Sequence, residues 1–191
     1  MATSAEQTAQ TGSGPLLERR YYIDVLRPRL HPAELMRTIQ CNLEAFSPDL
    51  LADFEKVQGQ EHCLRLHDEY HIKILGPWNG SVRVTDVSDQ HFEFVTLEGH
   101  PEAGRIRFSA LPLDGRPDVI RFEIHSWARS RDGLVAFAYD TRGMGKQVQE
   151  KTWVLFCERV AQTAGGQALG PVQVETVSQH RTTTQHEHHA A

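Results

Sequence analysis

The sequence predicts an α+β domain in which a long C-terminal helix lies across an antiparallel sheet. Three observations carry that expectation. From about Cys63 to Trp127 apolar and polar residues alternate in runs separated by turn residues, which is the period of antiparallel strands with one dry and one wet face. Ahead of this meander lie one alternating run and two helix-like segments. Behind it comes a helix whose apolar face is too broad to leave in water, and the dry face of the meander is the large apolar surface that can cover it.

The first run, "RRYYIDVLRP", is β-branched and aromatic, alternates Tyr21, Ile23 and Val25 with Tyr22, Asp24 and Leu26, and stops at Pro28. In "LHPAELMRTIQCNLEAF" a proline near the start and Leu35, Ile39, Leu43 and Phe46 at spacings of three and four predict an amphipathic helix. "SPDLLADFEKV" predicts a second helix, with Ser47 as cap, Pro48 at the first helical position and Asp49 in the first turn. The strands that follow are "CLRLHDEYHIKIL", "SVRVTDV", "HFEFVTL", "RIRFSAL" and "VIRFEIHSWA". The turns "GPWNG" and "PLDGRPD" and the corner "GHPEAG" punctuate them. "GKQVQEKTWVLFCERVAQTAG" is the closing helix. Val148, Thr152, Leu155, Phe156 and Val160 form its stripe, Trp153, Cys157, Ala161 and Ala164 widen it, and Gly165 stops it.

At 191 residues the chain is of single-domain length, with 39% hydrophobic and 24% charged residues. The net charge of -5 offers no basic stripe for phosphates and disfavours nucleic acid as a partner. Cys41, Cys63 and Cys157 are far apart and odd in number, which suggests neither a disulfide framework nor a zinc ribbon and fits a reducing cytoplasm. No leader-like h-region and no run of about 18 apolar residues occurs, so secretion and membrane spanning are disfavoured. Residues 1–15 and 165–191 are small and polar and are expected as disordered tails around a single domain at 16–164. The second tail holds His180, His186, His188 and His189, read as solvated rather than metal-binding.

The element order of strand, two helices, meander and long helix resembles the helix-grip fold of the START and Bet v 1-like superfamily (also called SRPBCC). That resemblance implies a curved antiparallel sheet wrapped around the long C-terminal helix, with a ligand cavity between them. A narrower one rests on "TLEGHPEAGRIRF", Thr96 to Phe108, with "RFEIHSWARS", Arg121 to Ser130. Together they look like the core of the uncharacterised family called domain of unknown function nineteen-ninety. The chain departs from the family pattern at Arg105 and at "WARSRDG", and the resemblance brings no reaction, cofactor or catalytic residue.

Tyr70, Phe92, Phe94, Phe108, Phe122 and Trp153 are the expected pocket-facing residues, and they are equally good core residues. The leading expectation is therefore binding of a small apolar or amphipathic molecule. An enzyme of lyase, cyclase or hydrolase type is the alternative, with His100 and Glu102 as an acid-base pair at the cavity mouth. Against it, two glycines of free φ, a fixed proline and a residue constrained by preceding it already make "GHPEAG" a rigid structural corner. On the wet face, His67, Glu69 and His71, His91 and Glu93, and Glu123 and His125 have facial-triad composition, but so has any solvated strand, and no metal site is assigned. A third expectation is a partner-binding module using Trp78 and the 127–131 loop, where Arg121, Arg129 and Arg131 could clamp an anion or simply offset nearby carboxylates. "RGMGKQVQ" lacks P-loop spacing, and no nucleotide, zinc-protease or nucleophile-elbow motif occurs, so no cofactor is called for.

Overall fold

The structure is a computed structural model that describes residues 4–47, 52–59, 62–74, 79–132 and 144–179. One sheet of nine strands organises it, in the order β2-β3-β4-β5-β6-β7-β1, with β8 and β9 both on the far side of β1. In chain order the elements are β1 (Ser13–Leu26), α1 (Pro32–Cys41), α2 (Leu43–Phe46), β2 (Ala52–Gln58), β3 (Glu69–Ile74), β4 (Gly80–Val87), β5 (His91–Thr96), β6 (Glu102–Leu113), β7 (Arg116–Ser130), α3 (Met144–Ala164), β8 (Gln167–Ala168) and β9 (Gln173–Gln179). Every pairing is antiparallel.

Strand alternation makes the sheet amphipathic, and α3 covers the dry face. Tyr21, Ile23 and Val25 of β1, Phe92 and Phe94 of β5, Phe108 and Ala110 of β6 and Phe122 and Ile124 of β7 point inward. α3 answers with Thr152, Phe156, Cys157, Val160 and Ala164, all buried. Phe156 is the hub, its ring centroid 5.4 Å from Phe108, 6.0 Å from Phe122 and 5.7 Å from Phe46 on α2. α1 and α2 close one end with Leu35, Met36, Ile39, Leu43 and Phe46, and the helix breaks at Asn42, whose φ and ψ of -142° and 42° are not helical. Gly165 ends α3 at φ 63°, a conformation that suits glycine.

Three expectations are corrected. The predicted second helix is a strand: Ala52–Gln58 pairs with β3, because alternation of buried Phe54 with exposed Glu55 suits the open sheet edge, and sheet pairing outweighs the local capping signal. The residues carrying that signal, Pro48 and Asp49, lie outside the described residues.

The tails expected on either side of 16–164 are structured where described. Residues 4–12 strap onto the sheet, with Gln7 N–H donating to Thr96 O at 2.7 Å and Glu98 N–H to Ala5 O at 2.9 Å, while β9 pairs with Leu16 to Tyr22 of β1. Backbone hydrogen bonding to a strand edge needs no apolar periodicity, which is why composition concealed both.

The third correction concerns the cysteines. Cys41 and Cys63 form a disulfide that ties the end of α1 to the β2–β3 connection, and Cys157 is free and buried. With that bond present the cysteines no longer argue for a reducing compartment. No helix among the described residues is long and apolar enough to cross a membrane.

The disulfide closes a loop of sequence separation 22. Its removal in Cys41→Ser should cost about 3 kcal/mol through loop-closure entropy. Chemical denaturation with and without reductant checks this, since reductant should shift the wild type and leave the Cys41→Ser/Cys63→Ser variant unmoved.

Candidate functional site

The "GHPEAG" corner is built from three directions. Gly99 takes φ 91°, a conformation that favours glycine, and the His100 N–H closes the turn onto Leu97 O at 3.0 Å. Gln7 clasps it from the N-terminal strap: its Nε2 donates to His100 O at 2.7 Å and Glu102 O at 2.8 Å, and its Oε1 accepts from Gly99 N–H at 3.3 Å. Arg131 clasps it from the end of β7, its backbone N–H donating to Pro101 O at 2.8 Å and its Nη1 to Gly99 O at 3.0 Å. The two motifs that stand out in the sequence are therefore one unit, since Glu102 pairs with Ser130 in the β6–β7 register.

Within the corner, His100 and Glu102 diverge. The imidazole is buried, 7% exposed, and lies on Gly80, where a Cβ would come within 2.1 Å of His100 Cδ2. Its Nδ1 sits 3.0 Å from both the backbone N and O of Glu102. Burial pushes the His100 pKa below its ordinary value, with the field of Glu102 opposing. The Glu102 carboxylate turns away to the inner face of the sheet, where its Oε1 accepts from Arg19 Nη1 at 2.9 Å. An imidazole held by backbone and a carboxylate held by guanidinium are not a proton-transfer pair.

Arg19 precedes Tyr21, Ile23 and Val25 by the strand period and so shares their inner face, buried at 7% exposure. Beside it, burial pushes the Tyr21 phenol up to about 12; Arg19 opposes that rise and Glu102 adds to it. Ser126, the β7 partner of Arg19, and Thr152 of α3 are buried polar residues too. Arg19 and Tyr21 were absent from the sequence-derived candidates, yet extending the β1 alternation two residues back from Tyr21 places Arg19 on the dry face.

The expected pocket residues do come together, as a ring cluster. Phe92 stacks on Phe108 at 4.6 Å, Phe94 meets Tyr70 at 5.6 Å edge-on, and Trp153 meets Phe108 at 5.7 Å; Phe122 reaches the group through Phe156. Tyr70 also borders a cleft of about 440 Å³ with Gln40, Leu43, Glu44 and Lys56, on the α1–α2 flank of the sheet.

The wet face is a lattice of ion pairs. Arg20 holds Glu123 at 2.7 Å, His125 meets Glu18 at 2.8 Å, His91 meets Asp86 at 2.8 Å, Arg107 holds Glu93 at 3.0 Å, and Arg83 holds Glu69 at 2.7 Å. His67 lies off the strand at φ 71°, and His71 Nδ1 is 3.2 Å from Ser81 Oγ. Among the described residues no group of three or more histidine, cysteine or carboxylate side chains is disposed to hold a metal ion.

The arginines named for the 127–131 interaction surface are engaged internally. Arg121 forks onto Asp24 at 2.7 and 2.8 Å, Arg129 donates to Gly14 O, and Trp127 lies between the His125 ring at 3.7 Å and the Arg105 guanidinium at 4.6 Å. Trp78, the four tail histidines and Gly143 of "RGMGKQVQ" lie outside the described residues.

A family model described as domain of unknown function, DUF1990, matches residues 19–159. The chain belongs to the DUF1990 family. Both halves of the corner unit, apart from the Gln7 strap, lie inside the matched region. The DUF1990 chain has a helix-grip, Bet v 1-like fold, as its solved neighbours show. An aromatase/cyclase from Streptomyces sp. R1128 is similar at TM-score 0.57 and 16% identity, over 78% of this chain and 93% of that one. A hypothetical protein from Helicobacter pylori gives 0.53 and 8% identity, over 76% and 86%. A conserved protein from Geobacillus kaustophilus gives 0.50 and 13%, over 78% and 97%. No curated protein matches this DUF1990 sequence.

Two outcomes follow from the corner. Because the folded pKa of His100 lies below its unfolded value of about 6.5, the unfolded chain binds the extra proton, and stability holds above that pH and falls as pH drops below it. Thermal midpoints measured from neutral to mildly acidic pH should fall, with a shallower slope in His100→Gln. Gly80→Ala forces the ring off its seat and should cost about 1–3 kcal/mol in chemical denaturation.

Proposed function

We propose that this protein binds a small amphipathic molecule between the sheet and α3. Tyr70, Phe92, Phe94, Phe108 and Phe122 are at most 4% exposed and close on one another and on Phe156, so the apolar body is admitted by parting α3 and Trp153 from them, while the polar end meets Arg19, Glu102 and the Tyr21 hydroxyl. One observation carries this reading: a charged pair stands on the apolar face of the sheet, with side chains 8% and 15% exposed. An apolar pair of like volume would serve the fold as well or better, because desolvating two charges offsets most of their attraction. A recognition role accounts for retaining them there.

The helix-grip fold supports the reading through its placement of a helix across a concave sheet. The Streptomyces neighbour's aromatase/cyclase description concerns that protein, and at 16% identity the likeness supports the fold alone. Lyase, cyclase or hydrolase chemistry is the second reading, and the geometry favours only one form of it. Its acid-base group would be the Glu102 carboxylate on the inner face, 2.9 Å from Arg19, rather than a His100–Glu102 dyad.

Native mass spectrometry of the purified chain tests the reading. The expected result is a non-covalent adduct of a small molecule that denaturation releases. The Arg19→Met/Glu102→Met variant should keep its thermal midpoint and lose about ten- to a hundredfold in affinity for the recovered molecule. Absence of any adduct from the wild type, or unchanged affinity in the variant, would sink it.

A further inference from the structure

We propose that β9 is a self-association strand, through which two copies of the chain join their sheets antiparallel about a two-fold axis at Thr176. β9 lies beyond the residues matched by the family model and forms the outer strand of the sheet next to β1. Its inner edge is consumed by pairing from Leu16↔Gln179 to Tyr22↔Gln173. Among the described residues no strand lies against its outer edge. Strand geometry turns alternate N–H and C=O groups outward along that edge, which makes it a template for another strand.

β9 also lacks the features that guard exposed edges. All seven residues of "QVETVSQ" are exposed, Val174 at 39% and Val177 at 54%, and the strand has no proline, lysine or arginine. Its one charge, Glu175, is answered within the chain by the Tyr22 hydroxyl at 3.0 Å and by Arg20 at 3.6 Å. The opposite edge of the sheet is protected: β2 carries the exposed Glu55, paired with Lys73 at 2.7 Å, and α2 packs beside it.

The occupant is a second copy because the strand is complementary to itself. In the register centred on Thr176, Thr176 faces Thr176, Glu175 faces Val177, Val174 faces Ser178 and Gln173 faces Gln179, each with its counterpart in the other copy. No like charges oppose, and Thr–Thr is a favourable cross-strand pair. An isologous contact of this kind closes at two subunits and leaves no growing edge.

Sedimentation velocity on the full chain, from micromolar to submillimolar concentration, tests the proposal with two variants of one residue. The wild type should approach twice the 21.6 kDa chain mass. Val177→Glu sets a carboxylate against Glu175 in each of the two symmetric pairs and should weaken the dimer about tenfold, while Val177→Lys sets a cation there and should hold or tighten it. Thermal midpoints for both variants report whether each chain stays folded. A mass of one chain throughout the range, including one in which β9 pairs only with a foreign peptide, overturns the proposal. So does an equal dimer affinity for the two Val177 variants.

Discussion

The seating of Phe156 on the dry face of the sheet is the contact on which the rest of the fold depends. A single amphipathic sheet cannot stand alone in water, and this one turns Phe92, Phe94, Phe108 and Phe122 to one side. α3 supplies the cover, and Phe156 touches the neighbouring strands β6 and β7 through Phe108 and Phe122 and also Phe46 on α2. Burying each such ring is worth about 1.5–3 kcal/mol, so the cluster outweighs local preferences elsewhere. That imbalance is why residues 52–58, which follow the helix-start signal at Ser47, Pro48 and Asp49, add a strand to the sheet.

Against this apolar background the Arg19–Glu102 pair, like Lys56–Asp68 beside Tyr70 with side chains 17% and 9% exposed, is a buried charge pair that needs a reason. Its charges cost desolvation on both partners and return little net stability over an apolar pair. Tyr21, held protonated by the same burial, adds a hydroxyl beside it. On the proposed reading, these three polar groups at one end of an aromatic cluster would set the orientation of an otherwise apolar ligand.

The corner "GHPEAG" sets the position of that pair. Gln7 and Arg131 fix its backbone from two sides, and His100 fills the space over Gly80, so the first residues of β6 leave the corner in one direction only. Glu102 thereby reaches the inner face and Arg19. His100 is a buried spacer held by backbone, and the carboxylate two residues on reaches Arg19.

The legibility of this protein divides by range. Alternation in β1 and β3–β7, the stripe of α3 and the turn residues of the corner were readable because strand and helix periods are local properties of the chain. The same alternation contained Arg19, although its charge hid it among surface residues. Partner choice was not readable. The Cys41–Cys63 bond, the strap through Gln7, the pairing of β9 with β1 and the turn of Glu102 toward Arg19 join residues 22 to 163 positions apart, and composition at either end carries no record of the other. The sequence by itself determined which faces are dry and where the chain turns. Tertiary structure alone decided which polar groups meet, because that depends on the folded sheet bringing distant strands into register.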